Sequence, residues 1–324
     1  MNVCVIGAGE LGSRHVQAIG KVKQPLNIFI VDPNSRSLNM AKTRFEESTN
    51  GIHQLYLLQT LDQLPKSIYF LVVSTNSLVR YEIINYLFEN DFQIEYLMME
   101  KFLFPSLLEF DNAAVLFENQ ETKVFVNCGR RIIDFYQEIK SLFQNAESIH
   151  FKVEGWNLGI GCNGIHFLDW FSYMVNDKAI SISSSLDNEI LQSKRSGFIE
   201  FTGELFGFTE TGDQFSLISY SENELRSPTL IEISSSQVKC VINESEFEAS
   251  VMKSSDNWNV EKYSYRIPFQ SEMTNELIES TLENKSIGLP DYDKSMILHK
   301  QLLKEFLDHL VTITGKELSQ CMIT

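Results

Sequence analysis

Three glycines near the start of the chain have the spacing of a phosphate-binding turn. In V-C-V-I-G-A-G-E-L-G-S-R-H, Gly7, Gly9 and Gly12 form G-x-G-x-x-G directly after an apolar run and directly before a helical one. The first glycine permits the tight turn, the second leaves room for a pyrophosphate to approach the backbone, and the third lets helix and strand lie close. The amides of Glu10 and Leu11, at the start of the helix, then face the phosphates. Asp32 closes the next apolar run, N-I-F-I-V-D, about twenty residues beyond Gly12, where a carboxylate accepts hydrogen bonds from the adenosine ribose. Its charge repels a 2′-phosphate, so NAD is expected as cofactor. NADP stays open if Arg36, otherwise a solvated helix residue, turns inward to pair with a phosphate.

A chain of 324 residues is long for one core and comfortable for two. The formal net charge of −16 repels a phosphate backbone over most of the surface, which argues against nucleic acid as a partner. Cys4, Cys128, Cys162, Cys240 and Cys321 are scattered, with no C-x-x-C pair, and read as reduced thiols rather than metal ligands. No charged segment precedes an apolar one as in a signal peptide, and the apolar runs are strand-sized. A cytoplasmic protein with no membrane partner is expected.

These residues need elements to hold them. The first third alternates short β-branched or aromatic runs with helical stretches, the pattern of a doubly wound parallel sheet in a Rossmann domain. Strands are expected at Asn2 to Ile6, Asn27 to Asp32, His53 to Leu57, Ile68 to Ser74, Ile94 to Met99 and Lys123 to Asn127. A helix from Leu78 to Glu89 would bury Val79, Ile83, Tyr86 and Leu87. Beyond Ser148 the alternation of Ser, Thr, Ile, Val and Phe predicts an α+β domain with a large, mostly antiparallel open sheet. Its strands are read at Ser148 to Glu154, Gly197 to Thr202, Gln214 to Ser219, Thr229 to Ser234, Gln237 to Ile242 and Phe247 to Met252, preceded mostly by a helix from Gly164 to Val175. The domains are placed at 1–127 and 128–324, and the helix at 294–312 is expected to pack back on the N-terminal one.

Three separated stretches resemble the glucose-fructose oxidoreductase, inositol dehydrogenase and rhizopine catabolism family, Gfo/Idh/MocA. They are G-A-G-E-L-G-S-R-H with Arg14 and His15, E-K-F-L at Glu100 to Leu103 where the family has E-K-P, and N-G-I-H-F-L-D at Asn163 to Asp169 where it has G-x-H-x-x-D. The resemblance implies that the turn Ser74-Thr75-Asn76 and the pair Glu100 and Lys101 lie at the cofactor. Lys101 would hold or polarise the substrate oxygen. Its place just past a central strand is also where open α/β sheets bind ligands. His166 would take the proton of a sugar hydroxyl as hydride departs, since imidazole titrates near neutrality. Asn163 and Asp169 would contact substrate or orient the ring, although Asp169 reads equally as a helix partner. Arg130 and Arg131 could meet an anionic sugar, or be solvated at a helix start.

The departures also matter. Cys162 stands where many members have an aspartate four residues before the histidine. Phe102 replaces the usual proline, and Arg80 occupies a position where histidine is common. The stretch Trp156 to His166 is similar to members linked to surface-polysaccharide or nucleotide-sugar biosynthesis. The expected activity is NAD(P)-dependent hydride transfer with a secondary alcohol or ketone of a sugar derivative. A non-catalytic NAD(H)-binding sensor or scaffold, and an imine or enone reductase, are the alternatives. Relatives pair through the sheet of the second domain, which implies a homodimer or homotetramer.

Overall fold

A computed structural model of the protein describes residues 1–118, 120–221 and 227–324. Contacts divide the chain into two compact units. The first holds Met1–Phe104, Leu108–Asn127 and Pro268–Asp293, and the second Pro105–Leu107, Cys128–Ile267 and Lys294–Thr324.

The first unit opens with β1 (Asn2–Ile6), α1 (Glu10–Ile19), β2 (Asn27–Val31), α2 (Ser35–Glu46), β3 (Gln54–Leu58), β4 (Ser67–Val73), α3 (Ser77–Glu89), β5 (Gln93–Met99), α4 (Leu107–Glu118) and β6 (Lys123–Val126). Its strands pair in parallel in the order β3-β2-β1-β4-β5-β6. The order reverses between β1 and β4, and in such sheets ligands bind at that reversal, beyond the carboxyl ends of the strands. Val3 to Val5 and Phe70 to Val73 are wholly buried, as central parallel strands require, and this is why they read as unbroken apolar runs. All six strands lie within a residue of where the sequence places them.

α3 differs in the face it buries. Ser77, Arg80, Ile84 and Leu87 point inward, while Val79 is 39% exposed. The cause is Arg80, whose guanidinium donates to the carbonyls of Thr75, Phe102 and Leu103 and so turns the helix away from the face that hydropathy alone selects.

The second unit contains α5 (Asp134–Leu142), β7 (His150–Trp156), α6 (Ile160–Met174), β8 (Ile180–Leu186), β9 (Leu191–Gln192), β10 (Ile199–Glu200), β11 (Gly203–Thr209), β12 (Gln214–Tyr220), β13 (Leu230–Ser234), β14 (Val238–Asn243), β15 (Glu248–Lys253) and β16 (Val260–Ser264). Eight strands form one sheet, β16-β15-β14-β13-β7-β12-β11-β8, antiparallel except for the parallel pair β12 and β7. Phe151 and Phe215 point to one face and meet Trp170 and Phe171 of α6. Each such buried aromatic contributes about 1.5–3 kcal/mol. The stretch Gly197 to Thr202 supplies only the two-residue β10, paired with β9. β8 and β11 escape the sequence reading because I-S-I-S-S-S-L is serine-rich and G-E-L-F-G-F-T is broken by glycines. One of those glycines is required: a Cβ on Gly203 would lie 2.5 Å from the Ser185 carbonyl.

The chain then returns to the first unit through α7 (Thr274–Leu282), so a single cut after residue 127 is corrected at 268–293. Leu277 and Ile278 are buried, Lys21 donates to the Ser271 carbonyl, and Val126 N donates to the Pro290 carbonyl beside β6. α8 (Tyr292–Thr314) belongs from Lys294 onward to the second unit. Phe306 stacks on Phe201, and Glu305 accepts from Ser184 at 2.8 Å. Among the described residues no helix is long and apolar enough to cross a membrane, and no cluster of His, Cys, Asp and Glu is placed to hold a metal.

Candidate functional site

In the first unit the β1–α1 turn is bound into the sheet by Gly7 N, which donates to the Val31 carbonyl at 2.9 Å. Its glycines serve different ends. A Cβ on Gly12 would sit 1.8 Å from the Gly7 carbonyl oxygen, and one on Gly7 2.9 Å from Thr75 N. One on Gly9 would meet nothing within 4 Å. The protein itself therefore needs Gly7 and Gly12, whereas the space over Gly9 is left clear. Gly9 caps α1 without any side-chain hydrogen bond, so the first amides of the helix point outward as donors. The Asp32 carboxylate is set from both sides, Oδ2 accepting from Ala8 N and Oδ1 from Asn34 N, each at 2.8 Å. Glu10 pairs with Arg44 at 2.7 Å, which offsets an acid at the helix start. These features fit a pyrophosphate over Gly9 and a ribose at Asp32.

Several expected ligand contacts have internal partners instead. Asn76 caps α3 by accepting from Leu78 N at 3.1 Å, and Ser74 Oγ donates to the Gly7 carbonyl at 2.7 Å. Thr75 Oγ1 is buried with no hydrogen-bond partner among the described residues. Arg36 is exposed, and its backbone amide donates to Asn34. Glu100 is 4% exposed and points inward, accepting from His15 Nε2 at 2.9 Å and from Asn127 Nδ2 at 2.5 Å. His15 Nδ1 in turn meets Thr274 Oγ1 at 2.8 Å. Burial alone would raise the pKa of Glu100, but the hydrogen bond and charge of His15, the Asn127 bond and the Lys101 charge outweigh it and hold the group below the usual value. Lys101, half-buried, follows at the carboxyl end of β5, and the Lys101–Phe102 peptide bond is cis.

In the second unit α6 presents Asn163 exposed and Cys162 and His166 half-buried. Its first turn is held by a residue that sequence reasoning missed. Glu200 accepts from Gly161 N at 2.8 Å and Cys162 N at 3.0 Å, and caps the helix in place of the N-cap residue, Gly159. Asn163 Nδ2 donates to the Leu158 carbonyl at 2.6 Å. Asp169, expected near substrate, is 1% exposed and forms a two-pronged pair with Arg131 at 2.8 and 2.9 Å. Burial pushes Asp169 up to about 6, against the downward pull of Arg131. Arg131 also meets Asp177 at 2.9 Å. Arg130 is engaged by Glu244 and by Tyr136, and lies 4.4 Å from the centre of the Phe167 ring. Both arginines, read from sequence as contacts for an anionic sugar or as solvated residues, are thus paired within the protein, with partners up to 114 residues away in sequence.

No protein-family model and no curated protein matches the chain. Solved structures do. An oxidoreductase from Agrobacterium radiobacter in complex with NAD+, L-tartaric acid and magnesium is 13% identical, with 98% of each chain covered and a TM-score of 0.71. UDP-N-acetylglucosamine 3-dehydrogenase GnnA from Acidithiobacillus ferrooxidans is 11% identical over 94% of this chain and 96% of its own, TM-score 0.71. The transcriptional regulator Gal80p from Kluyveromyces lactis is 15% identical over 94% and 91%, TM-score 0.72. The protein therefore has the two-domain fold of the Gfo/Idh/MocA-type oxidoreductases, a Rossmann domain followed by a domain built on a large open sheet.

Proposed function

We propose that the protein is an NAD-dependent oxidoreductase acting between the secondary alcohol and ketone of a sugar or nucleotide-sugar derivative. The observation that carries this reading is the β1–α1 turn, with its uncapped helix end, the clear space over Gly9 and a carboxylate fixed by Ala8 N. The amides of Glu10, Leu11 and Gly12 hold a pyrophosphate, and Asp32 accepts from ribose hydroxyls and repels a 2′-phosphate. The dinucleotide supplies or accepts a hydride when bound. Lys101 holds the substrate oxygen, and His166 takes the hydroxyl proton on oxidation and returns it on reduction. Asn163 is the further polar group offered to substrate. The NAD+ bound by the Agrobacterium radiobacter enzyme and the sugar nucleotide named for the Acidithiobacillus ferrooxidans one support this reading. We also infer that the open sheet pairs with a second copy of the chain.

Cofactor-free protein supplied with NAD+ or NADH and tested against a panel of sugars and nucleotide sugars should change reduced-nicotinamide absorbance with one of them. Lys101→Ala and His166→Ala should each lower turnover about a hundredfold or more while NADH still binds. Full activity in both variants would remove these roles.

A dinucleotide-binding sensor without turnover is the second reading, favoured by Cys162 in place of an aspartate and by the commitment of Asp169 to Arg131. Deuterium carried from labelled NADH into a sugar product separates the two readings. The same label found in an amine or a saturated ketone would point to imine or enone reduction.

A further inference from the structure

Arg80 lies in the first turn of α3, 1% exposed, with its charge inside the first unit. One terminal nitrogen donates to the Leu103 carbonyl at 2.8 Å and to that of Phe102, and the other donates to the Thr75 carbonyl. A single planar guanidinium thus spans two turns, the one after β4 and the one that follows Lys101. The first of these already rests on the phosphate-binding turn, because Ser74 Oγ donates to the Gly7 carbonyl and the space a Cβ on Gly7 would need is taken by the Thr75 backbone, 2.9 Å away. The turns after β1, β4 and β5 form one hydrogen-bonded body.

We infer that Arg80 is a positioning residue, setting the backbone that carries Lys101 in register with the turn that faces the nicotinamide half of the dinucleotide. This rests on the dinucleotide reading given under Proposed function. Arginine suits the task because its donors form a rigid fork, whereas lysine places one point charge on a flexible stem and cannot hold carbonyls on two turns in a fixed geometry. A buried carbonyl that loses its donor retains the full cost of its desolvation, so the turns must shift when the fork is removed. The strand order places the effect. Asp32 and the adenosine side follow β2, while the turns that Arg80 joins follow β4 and β5, across the reversal point. Arg80 therefore governs one half of the ligand and not the other.

Calorimetry with NADH and with ADP-ribose, which lacks the nicotinamide ring, tests this on wild type and Arg80→Lys. The expected result is NADH binding weakened about tenfold or more in the variant, equivalent to ~1.4 kcal/mol, with ADP-ribose binding changed less than about twofold. Equal weakening of both ligands would mark a general structural role, and unchanged NADH binding would remove any role. Either result overturns the inference. If Arg80→Lys does not fold, hydrogen exchange on the wild type decides. NADH, but not ADP-ribose, should slow exchange in the peptides around Thr75 and Phe102 together, and protection of one without the other overturns the coupling. A wild type that binds neither ligand overturns the dinucleotide reading, and this inference with it.

Discussion

Glu100 and Lys101 are neighbours in sequence with different fates. Just past the end of β5, the carboxylate turns inward to His15 and Asn127, while the amine that follows stays half-buried. A carboxylate whose pKa is lower folded than unfolded adds stability above its unfolded value, and that contribution is lost as pH falls through the folded one. Glu100→Gln should therefore cost about 1–3 kcal/mol at neutral pH. The deficit should shrink as pH drops below 4.5, because the wild type alone loses the benefit. Urea midpoints of both proteins over a pH series check this, and a deficit that stays constant or grows on acidification contradicts it. Spacing singled out the glycines, and the family resemblance singled out Lys101 and His166, as candidates. Neither could show that Glu100, Asn76 and Asp169 spend their polar atoms within the protein, because that depends on partners brought in by folding, as Thr274 is brought to His15.

At the scale of elements, the parallel strands were legible because burial on both faces writes an unbroken apolar run, as in F-L-V-V of β4. The half-exposed strands β8 and β11 and the short helices α5 and α7 were not, since serine and glycine dilute the alternation and nine residues give a weak helical period. α6 explains the histidine in an apolar run: the helix is buried along most of its length, and Arg131 fastens it through Asp169. Asp169→Ala leaves Arg131 buried with Asp177 as its remaining carboxylate. The expected cost is about 3–5 kcal/mol of stability, read as a lowered melting temperature. An unchanged melting temperature together with lost turnover would assign Asp169 to the chemistry instead.

For the molecule as a whole, the eight-stranded sheet leaves Phe206 39% and Phe208 56% exposed on β11. If the open sheet pairs with a second copy as proposed, these side chains are the ones that copy would cover. Phe208→Glu should lower the molar mass measured by light scattering to that of one chain, 37.2 kDa, without unfolding the protein. A mass equal to that of the wild type would place the contact elsewhere. The return of residues 268–293 to the first unit means that neither unit is a continuous stretch of chain. Reading the sequence from one end to the other hides such a return, because α7 carries no local sign of the sheet it joins.

The central claim is that the turn at Gly9 exists to receive a pyrophosphate, and titration of NADH into wild type and Gly9→Ala tests it most directly. A Cβ at Gly9 meets no protein atom, and a φ of −62° suits alanine, so the variant should melt as the wild type does. The account predicts saturable binding to the wild type and binding at least about tenfold weaker to Gly9→Ala. No heat with the wild type, or equal affinity in the two proteins, would contradict it.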